Sequence, residues 1–269
     1  MTVPPFFPSR FKPAGFLFLI LPGVTVLFFG CAVPRVPTSG EAPVAISPTV
    51  VPTPPDLTET QLLGLKRPNN LIQDPESQKF AMKEILEAYW DLKQRAEQEG
   101  WHLILVSGYR SFWNQTHIWN EYEDAYFPSD DFTPEERVLK TMRAVSVPGL
   151  SRHQWGTDLD ISGKALQGKL VHINSTTPKK VLEFYAWMEK NAPDFGFCRV
   201  YRGKQGVVRD EPWHWSYIPF AMVYQKQFRQ IHDFSRIFKN RVGDVDYIQE
   251  NFNKIFQRMM ETDQSGCMR

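Results

Sequence analysis

The sequence has little cysteine and almost no net charge, and each shortage excludes a class of protein. Three cysteines, Cys31, Cys198 and Cys267, occur in 269 residues, and none forms a Cys-x-x-Cys pair. A thiolate zinc site or a dense disulfide framework is therefore not expected, and the spacing leaves open whether Cys198 and Cys267 pair. The formal net charge is +1, which gives no electrostatic basis for a nucleic-acid partner.

Charge is also missing from a long stretch near the N-terminus, Pro13–Pro34, which follows a basic start. This pattern predicts a signal or membrane-anchor segment over residues 1–31. Cys31 lies where bacterial lipoproteins are cleaved and lipidated, although Phe28 and Phe29 are larger than the usual residues there. A lipoprotein, an uncleaved anchor and a secreted protein all stay open, and each places the remainder outside the cytoplasm.

Residues 32–58 are rich in proline and hold few large apolar side chains, which predicts an extended linker. A tether behind an anchor suggests a target at some distance from the membrane. We therefore expect an exported protein that is membrane-anchored through its N-terminal segment and faces the periplasm or cell wall.

The remaining sequence predicts one folded domain over residues 59–232 and a helical C-terminal extension over 233–269. Its order of elements indicates an α+β fold, with a small antiparallel sheet and flanking helices. The "GTDLDIS" segment alternates like a half-buried strand with Asp158 and Asp160 on its acidic face. We expect the other strands at 101–107 and 197–218, with a hairpin around Gly203–Gly206 and an edge strand near Pro212. The predicted helices lie at 76–100, at 111–126, from Thr133, from Thr177, after Pro219 and at 245–260.

Two of the six histidines have neighbours that suit a metal site. His153 is followed by a glycine and by Asp160, and His214 comes later, after Pro212. Two imidazoles and one carboxylate form a three-ligand zinc site with an open fourth position. Spacing alone does not choose between Asp158 and Asp160, or between a metal site and a solvated acidic strand. We interpret the remaining histidines as non-ligands, with His102 and His172 in strand-like and His117 and His232 in helical segments.

Two charged residues could complete a hydrolytic site. Glu211, three residues before His214, suits a base that takes a proton from an attacking water. Arg110, in "SGYRS" at the end of a predicted strand, suits a guanidinium that stabilises an oxyanion. Each could equally be an ordinary surface residue.

Together, "SGYRS", "SRHQWGTDLDIS" and "EPWHWSY" resemble the zinc D-alanyl-D-alanine carboxypeptidases of bacterial cell walls, the vancomycin-resistance type. Relatives of that family include D,D-dipeptidases, L,D-carboxypeptidases, phage endolysin peptidases and the Hedgehog signalling fold. The resemblance covers roughly residues 63–228. All parts of the family pattern are present and in order.

The resemblance implies a role for each matching residue. His153, Asp160 and His214 match the ligands of one zinc ion, which selects Asp160 over Asp158. Other matches are Glu211 as general base, Arg110 as transition-state stabiliser, and Ser151 and Gln115 at the substrate. One departure is Asp158, where many members carry a small residue. We expect it to place a third carboxylate near the site and to alter substrate preference.

The implied activity is hydrolysis of peptidoglycan stem peptides with release of a C-terminal D-alanine. An L,D-carboxypeptidase, a cross-link endopeptidase and a non-catalytic wall-binding module are the alternatives. Glu211 argues against the binding module, because a binding site needs no base.

Overall fold

A computed structural model describes residues 52–203, 208–239, 242–260 and 267. The signal or anchor segment, and the part of the predicted linker before residue 52, lie outside the described residues. The helices are α1 (Glu59–Leu62), α2 (Lys83–Gln98), α3 (Phe112–Tyr126), α4 (Pro134–Thr141), α5 (Lys179–Asn191), α6 (Ile218–Phe228), α7 (Ser235–Phe238), α8 (Val245–Glu250) and α9 (Phe252–Met260). The strands are β1 (Leu71–Gln73), β2 (Phe80–Met82), β3 (Leu103–Ser107), β4 (Asp158–Gly163), β5 (Phe197–Arg199) and β6 (His214–Tyr217).

The predicted α+β class with a small antiparallel sheet is confirmed. Four strands form an antiparallel sheet in the order β3-β4-β6-β5, and β1 pairs with β2 in a separate antiparallel ribbon. In the β4–β6 ladder Asp160 lies opposite His214. The side chains of directly opposed residues lie on one face of a sheet, so this register brings a carboxylate and an imidazole together.

Two predictions about these strands were wrong. Strand β4 is buried along its whole length rather than on one face, because β3 and β6 flank it and helices cover the sheet. Strand β6 is internal rather than an edge strand. Pro212 precedes β6, so its missing N–H costs the ladder no hydrogen bond.

Helix α2 begins seven residues later than its apolar periodicity predicts. Phe80–Met82 instead form strand β2, whose backbone groups bond to β1. Ala81 therefore joins the core from a strand, while Ile85, Tyr89 and Leu92 do so from the helix. Pairing with the preceding strand has overridden a local helical pattern.

The helices predicted at 111–126 and from Thr133 form as α3 and α4, each with a capped N-terminus. The Ser111 hydroxyl accepts a hydrogen bond from the Asn114 amide at the start of α3. At α4, Thr133 and Glu136 form a capping box around a proline in the first turn. The helices at 177 and after 219 also form, as α5 and α6.

The segment after residue 233 packs onto the same hydrophobic core as the rest. Phe234, Phe252 and Phe256 contact one another, and Phe234 and Phe256 also contact Phe228 of α6. The single helix predicted over 245–260 is broken at Asn251 into α8 and α9. Cys267 forms a disulfide with Cys198 of β5, with a Cα–Cα distance of 5.3 Å, so this pair, left open by the sequence, is formed.

No helix in the described part of the chain is both long enough and apolar enough to span a bilayer.

Candidate metal and catalytic site

Three side chains that are distant in sequence meet at one end of β4. His153 comes from a short 3-10 helix (Arg152–Trp155), Asp160 from β4 and His214 from the start of β6. Asp160 Oδ1 lies 3.4 Å from His153 Nε2 and 3.4 Å from His214 Nδ1. One ligand atom from each residue lies within 4.8 Å of the others, and all three residues are buried. Among the described residues, no other group of three or more His, Cys, Asp or Glu side chains has such geometry.

The backbone fixes the orientation of the His153 ring. Its Nδ1 lies 2.8 Å from the carbonyl oxygen of Gly108, to which it donates a hydrogen bond. The lone pair of Nε2 is thereby directed into the cluster, where this buried atom has no hydrogen-bond partner. Gly156 ends the 3-10 helix with φ +76°, and a Cβ there would lie 2.6 Å from the Leu71 side chain. Glycine is therefore required at this turn.

The His214 ring is held from the opposite side. Its Nε2 donates to Asp158 Oδ1 at 2.9 Å, which leaves Nδ1 facing Asp160. Asp158 also accepts from Arg152 Nε at 2.9 Å, and its exposure is 0%. The third carboxylate is thus near the site, as expected. Its full burial behind His214 excludes direct contact with a substrate, so an effect on substrate preference, which stays a prediction, would act through His214.

The electrostatics of the cluster favour a bound cation. Burial would raise the pKa of Asp160, but His153, His214 and Arg110 outweigh it and keep that carboxyl ionised. Burial, with Arg110, lowers the pKa of His153, so its imidazole is neutral, the form that binds metals. Burial also lowers the pKa of His214, yet Asp158 and Asp160 prevail and raise it to about 9. The ring therefore attracts positive charge at Nδ1, where a metal ion can replace the proton.

The donor set fits a zinc ion. Two imidazole nitrogens and one carboxylate oxygen are the ligands of open, catalytic zinc sites. The buried and unpartnered Nε2 of His153 is the structural observation that supports this assignment, since such an atom otherwise costs free energy.

Glu211 lies at the rim of the cluster. Its Oε2 is 3.7 Å from His214 Nδ1, and the side chain is largely buried. Burial, together with the nearby Asp160, raises the pKa of Glu211 to about 7, although His214 and Arg110 oppose the shift. A carboxyl group with this pKa can both take up and release a proton near neutral pH.

Arg110 approaches the cluster from the end of β3. Its Nη2 lies 3.5 Å from Asp160 Oδ2, and its Nη1 donates to Gln115 Oε1 at 3.1 Å. Gln115 is 1% exposed and donates in turn to the Ser146 carbonyl oxygen. The described hydrogen bonds of Gln115 thus hold Arg110 in place. A contact between Gln115 and the substrate stays a prediction. Ser151 is buried directly before the 3-10 helix that carries His153.

The histidines interpreted as non-ligands lie outside the metal cluster. Two of their predicted settings were wrong, because His172 lies in a loop and His232 in the loop after α6. His172 contacts the segment that carries Glu211: its Nδ1 is 2.9 Å from the Asp210 carbonyl oxygen, and its ring packs on Trp213.

Sequence reasoning missed three groups that surround the cluster. They are the Gly108 carbonyl, the Arg152 side chain and Tyr201, whose ring centroid lies 4.7 Å from that of His214. The position of Arg152 beside His153 is the one sequence signal that could have drawn attention to it. Nothing in the sequence marks Tyr201.

The site resembles a mononuclear hydrolytic metal centre, and comparison with known proteins specifies the family. A sequence model described as VanY, D-alanyl-D-alanine carboxypeptidase, matches residues 78–220, more than half of the chain. The chain therefore belongs to the D-alanyl-D-alanine carboxypeptidase family.

Curated relatives and solved structures accompany this match. The D-alanyl-D-alanine carboxypeptidase of Enterococcus faecalis is 32% identical over 131 residues, which is 48% of this chain and 44% of the relative. The YodJ protein of Bacillus subtilis is 32% identical over 144 residues, 52% of this chain and 47% of the relative. The chain thus spans less than half the length of these curated relatives. A VanYB structure in complex with D-alanine-D-alanine shares 25% identity at a TM-score of 0.46, covering 66% of this chain and 87% of that one.

Proposed function

We propose that the protein is a zinc-dependent peptidase that hydrolyses peptidoglycan stem peptides, acting as a D-alanyl-D-alanine carboxypeptidase. The observation that carries the proposal is the convergence of two imidazoles and a carboxylate on one point, with Glu211 and Arg110 beside them. A binding module would need neither a base of raised pKa nor a guanidinium directed at the cluster.

His153 Nε2, one oxygen of Asp160 and His214 Nδ1 would hold the zinc ion. When bound, zinc supplies a Lewis acid that polarises a carbonyl and makes water acidic near neutral pH. Glu211 accepts the proton of the attacking water and later delivers it to the leaving amine, so the C–N bond is replaced by a C–O bond without net proton change. Arg110 donates hydrogen bonds to the oxyanion that develops on the carbonyl oxygen.

The substrate proposal follows the family and its relatives. The family is described by its action on D-alanyl-D-alanine, and the VanYB structure contains that dipeptide. A peptide that ends in D-Ala-D-Ala is therefore the substrate to test first. A tetrapeptide or a cross-linked peptide would be the target of the alternative L,D-carboxypeptidase or endopeptidase activities.

We further propose that the enzyme is exported and anchored in the membrane by its N-terminal segment, with Cys31 as the lipidation site. The disulfide between Cys198 and Cys267 supports an oxidising compartment. Peptidoglycan lies in that compartment, so substrate and location agree. Labelling of growing cells with an alkyne fatty acid tests the anchor: wild type should be labelled, and Cys31→Ser should not.

The decisive experiment is a carboxypeptidase assay on the full chain purified in detergent, with a muramyl pentapeptide ending in D-Ala-D-Ala. We expect loss of one alanine by mass spectrometry, abolished by a zinc chelator. Glu211→Ala should lower kcat by about 100- to 10,000-fold, because the proton acceptor is removed. The control is Glu97→Ala on the exposed face of α2, which removes a carboxylate far from the cluster.

Each outcome selects a function. Zinc binding without cleavage of the pentapeptide would favour tetrapeptide or cross-linked substrates. Full activity of Glu211→Ala would refute the proposed base. A purified chain that contains no zinc would favour the remaining alternative, a non-catalytic wall-binding module.

A further inference from the structure

We propose that Asp158 and Arg152 form a buried positioning pair that fixes the His214 ring for metal binding. The inference rests on the proposed zinc function of the cluster. It assigns a role to the one residue of the "SRHQWGTDLDIS" motif that departs from the family pattern.

Both oxygens of Asp158 and all three side-chain nitrogens of Arg152 have hydrogen-bond partners. Asp158 Oδ1 accepts from Arg152 Nε and His214 Nε2, both at 2.9 Å, and Oδ2 accepts from the Thr157 hydroxyl at 2.7 Å. Asp158 and Arg152 are 0% and 1% exposed.

The other nitrogens of Arg152 are also occupied. Nη2 donates to Ser216 Oγ at 2.6 Å and Nη1 donates to Gln225 Oε1 at 3.1 Å. Its guanidinium further lies over the Trp155 ring, 5.1 Å from the centroid. Both charges are therefore fixed in position from several elements of the fold.

Stability alone does not account for such a pair. Removing two charges from water is costly, and apolar side chains of similar volume are often at least as stabilising as a buried ion pair. What apolar side chains cannot do is accept a hydrogen bond from His214. The contact with His214 is therefore the property that distinguishes this pair from an apolar replacement.

The chemistry of the ring explains why that contact matters. A neutral imidazole carries its proton on either nitrogen, and a metal ligand needs a free lone pair at the ligating one. Asp160 lies 3.4 Å from Nδ1 and would favour a proton there. Asp158 competes at Nε2 over the shorter distance of 2.9 Å and so leaves Nδ1 free for the metal.

The test compares zinc affinities of the full chain by competition with a chromophoric chelator. Asp158→Asn removes the charge and keeps the shape, and we expect affinity to fall by about 10- to 100-fold. The matched control is Glu123→Gln, which replaces another buried carboxyl group that contacts an arginine, Arg137, outside the metal cluster. Its zinc affinity should stay within twofold of wild type.

A second variant covers the case in which Asp158→Asn leaves Arg152 unpaired and fails to fold. Combining Asp158→Ala with Arg152→Met removes both charges together, so no buried charge is left without a partner. Its zinc affinity should fall at least as far. In protein with ¹⁵N-labelled histidine, the Nε2 proton of His214 should exchange slowly with solvent in wild type and rapidly in the double variant.

The outcomes separate the positioning role from the proposed function. Zinc affinity within twofold of wild type in both variants would overturn the positioning role and leave the enzyme proposal intact. A wild-type chain that binds no zinc would refute the enzyme proposal. In that case, the exchange of the His214 Nε2 proton still tests its contact with Asp158. Exchange that is slow in wild type and rapid in the double variant would support the contact, and rapid exchange in wild type would overturn it.

Discussion

Gly108 is the position where a single methyl group should disturb the metal site most directly. Its carbonyl oxygen holds the Nδ1 proton of His153, and its Cα lies against the neighbouring ribbon. A Cβ built on Gly108 would lie 2.3 Å from the Phe80 carbonyl oxygen. Because the obstacle is backbone, neither residue can avoid the clash by rotating a side chain.

The size of the forced movement decides the effect of Gly108→Ala. Real Cβ contacts below 3.0 Å are essentially never seen, so the backbones must separate by at least about 0.7 Å. The hydrogen bond from His153 to Gly108 is 2.8 Å long. A displacement of that size along the bond would take it to about 3.5 Å, beyond the roughly 2.7–3.2 Å of an ordinary N–H···O bond. We expect zinc affinity to fall by about 10- to 100-fold and stability by about 1–3 kcal/mol.

The assay is zinc competition with a chromophoric chelator, combined with denaturant unfolding of the metal-free chain. Gly100→Ala is the matched control. Gly100 has φ +80°, so alanine is strained there by about 1 kcal/mol, but its Cβ would meet nothing within 4 Å. The control should lose stability and keep its zinc affinity. A Gly108→Ala protein that binds zinc within twofold of wild type would refute the reasoning.

Two further predictions concern buried polar side chains. Gln115→Ala removes the acceptor that holds Arg110 Nη1, so kcat on the pentapeptide should fall about tenfold with a smaller change in KM. Gln115→Glu keeps an acceptor and should recover part of that loss; equal kcat values for wild type and Gln115→Ala would contradict the assignment. Burial and Asp244 raise the pKa of Glu123 to about 7, although Arg137 opposes the shift. A raised carboxyl pKa means that the folded chain holds a proton that the unfolded chain has released. The unfolding free energy should therefore decline as the pH rises from about 4.5 to 7. Glu123→Gln should flatten this decline by roughly 3 kcal/mol in urea unfolding series, and an unchanged slope would show that Glu123 is not its source.

Most of the metal cluster could be predicted because its residues lie in short motifs that together resemble a known family, whereas spacing alone left the ligand set open. The alternation of β4 placed Asp160 on the same face as Asp158, and Gly156 marked the turn that carries His153 towards it. Local pattern gives no information about the partner of a strand, however. The opposition of Asp160 and His214 arises from the β4–β6 ladder, between segments more than fifty residues apart.

The errors in the fold have the same origin. The start of α2 was misplaced because Ala81 fits a helical stripe, whereas its backbone bonds belong to the ribbon with β1. Strand β4 looked half-buried because aspartates normally face water. A charged pair such as Asp158 with Arg152 can be buried only when every charge and proton finds a partner, and no sequence pattern reports that.

The hydrogen bonds around Arg152 also connect the metal site to the C-terminal segment. Gln225 accepts from Arg152 with its oxygen and donates through Nε2 to the Met260 carbonyl oxygen at the end of α9. A continuous series of bonds thus runs from α9 through Gln225, Arg152 and Asp158 to the ring of His214. Buried polar networks are costly when a bond is lost, so loss of the α9 contact would weaken the support of the side chain beside the arginine that holds Asp158. The segment after residue 233 is therefore best regarded as structural support for the site, since its last helix closes the network on which the orientation of His214 depends.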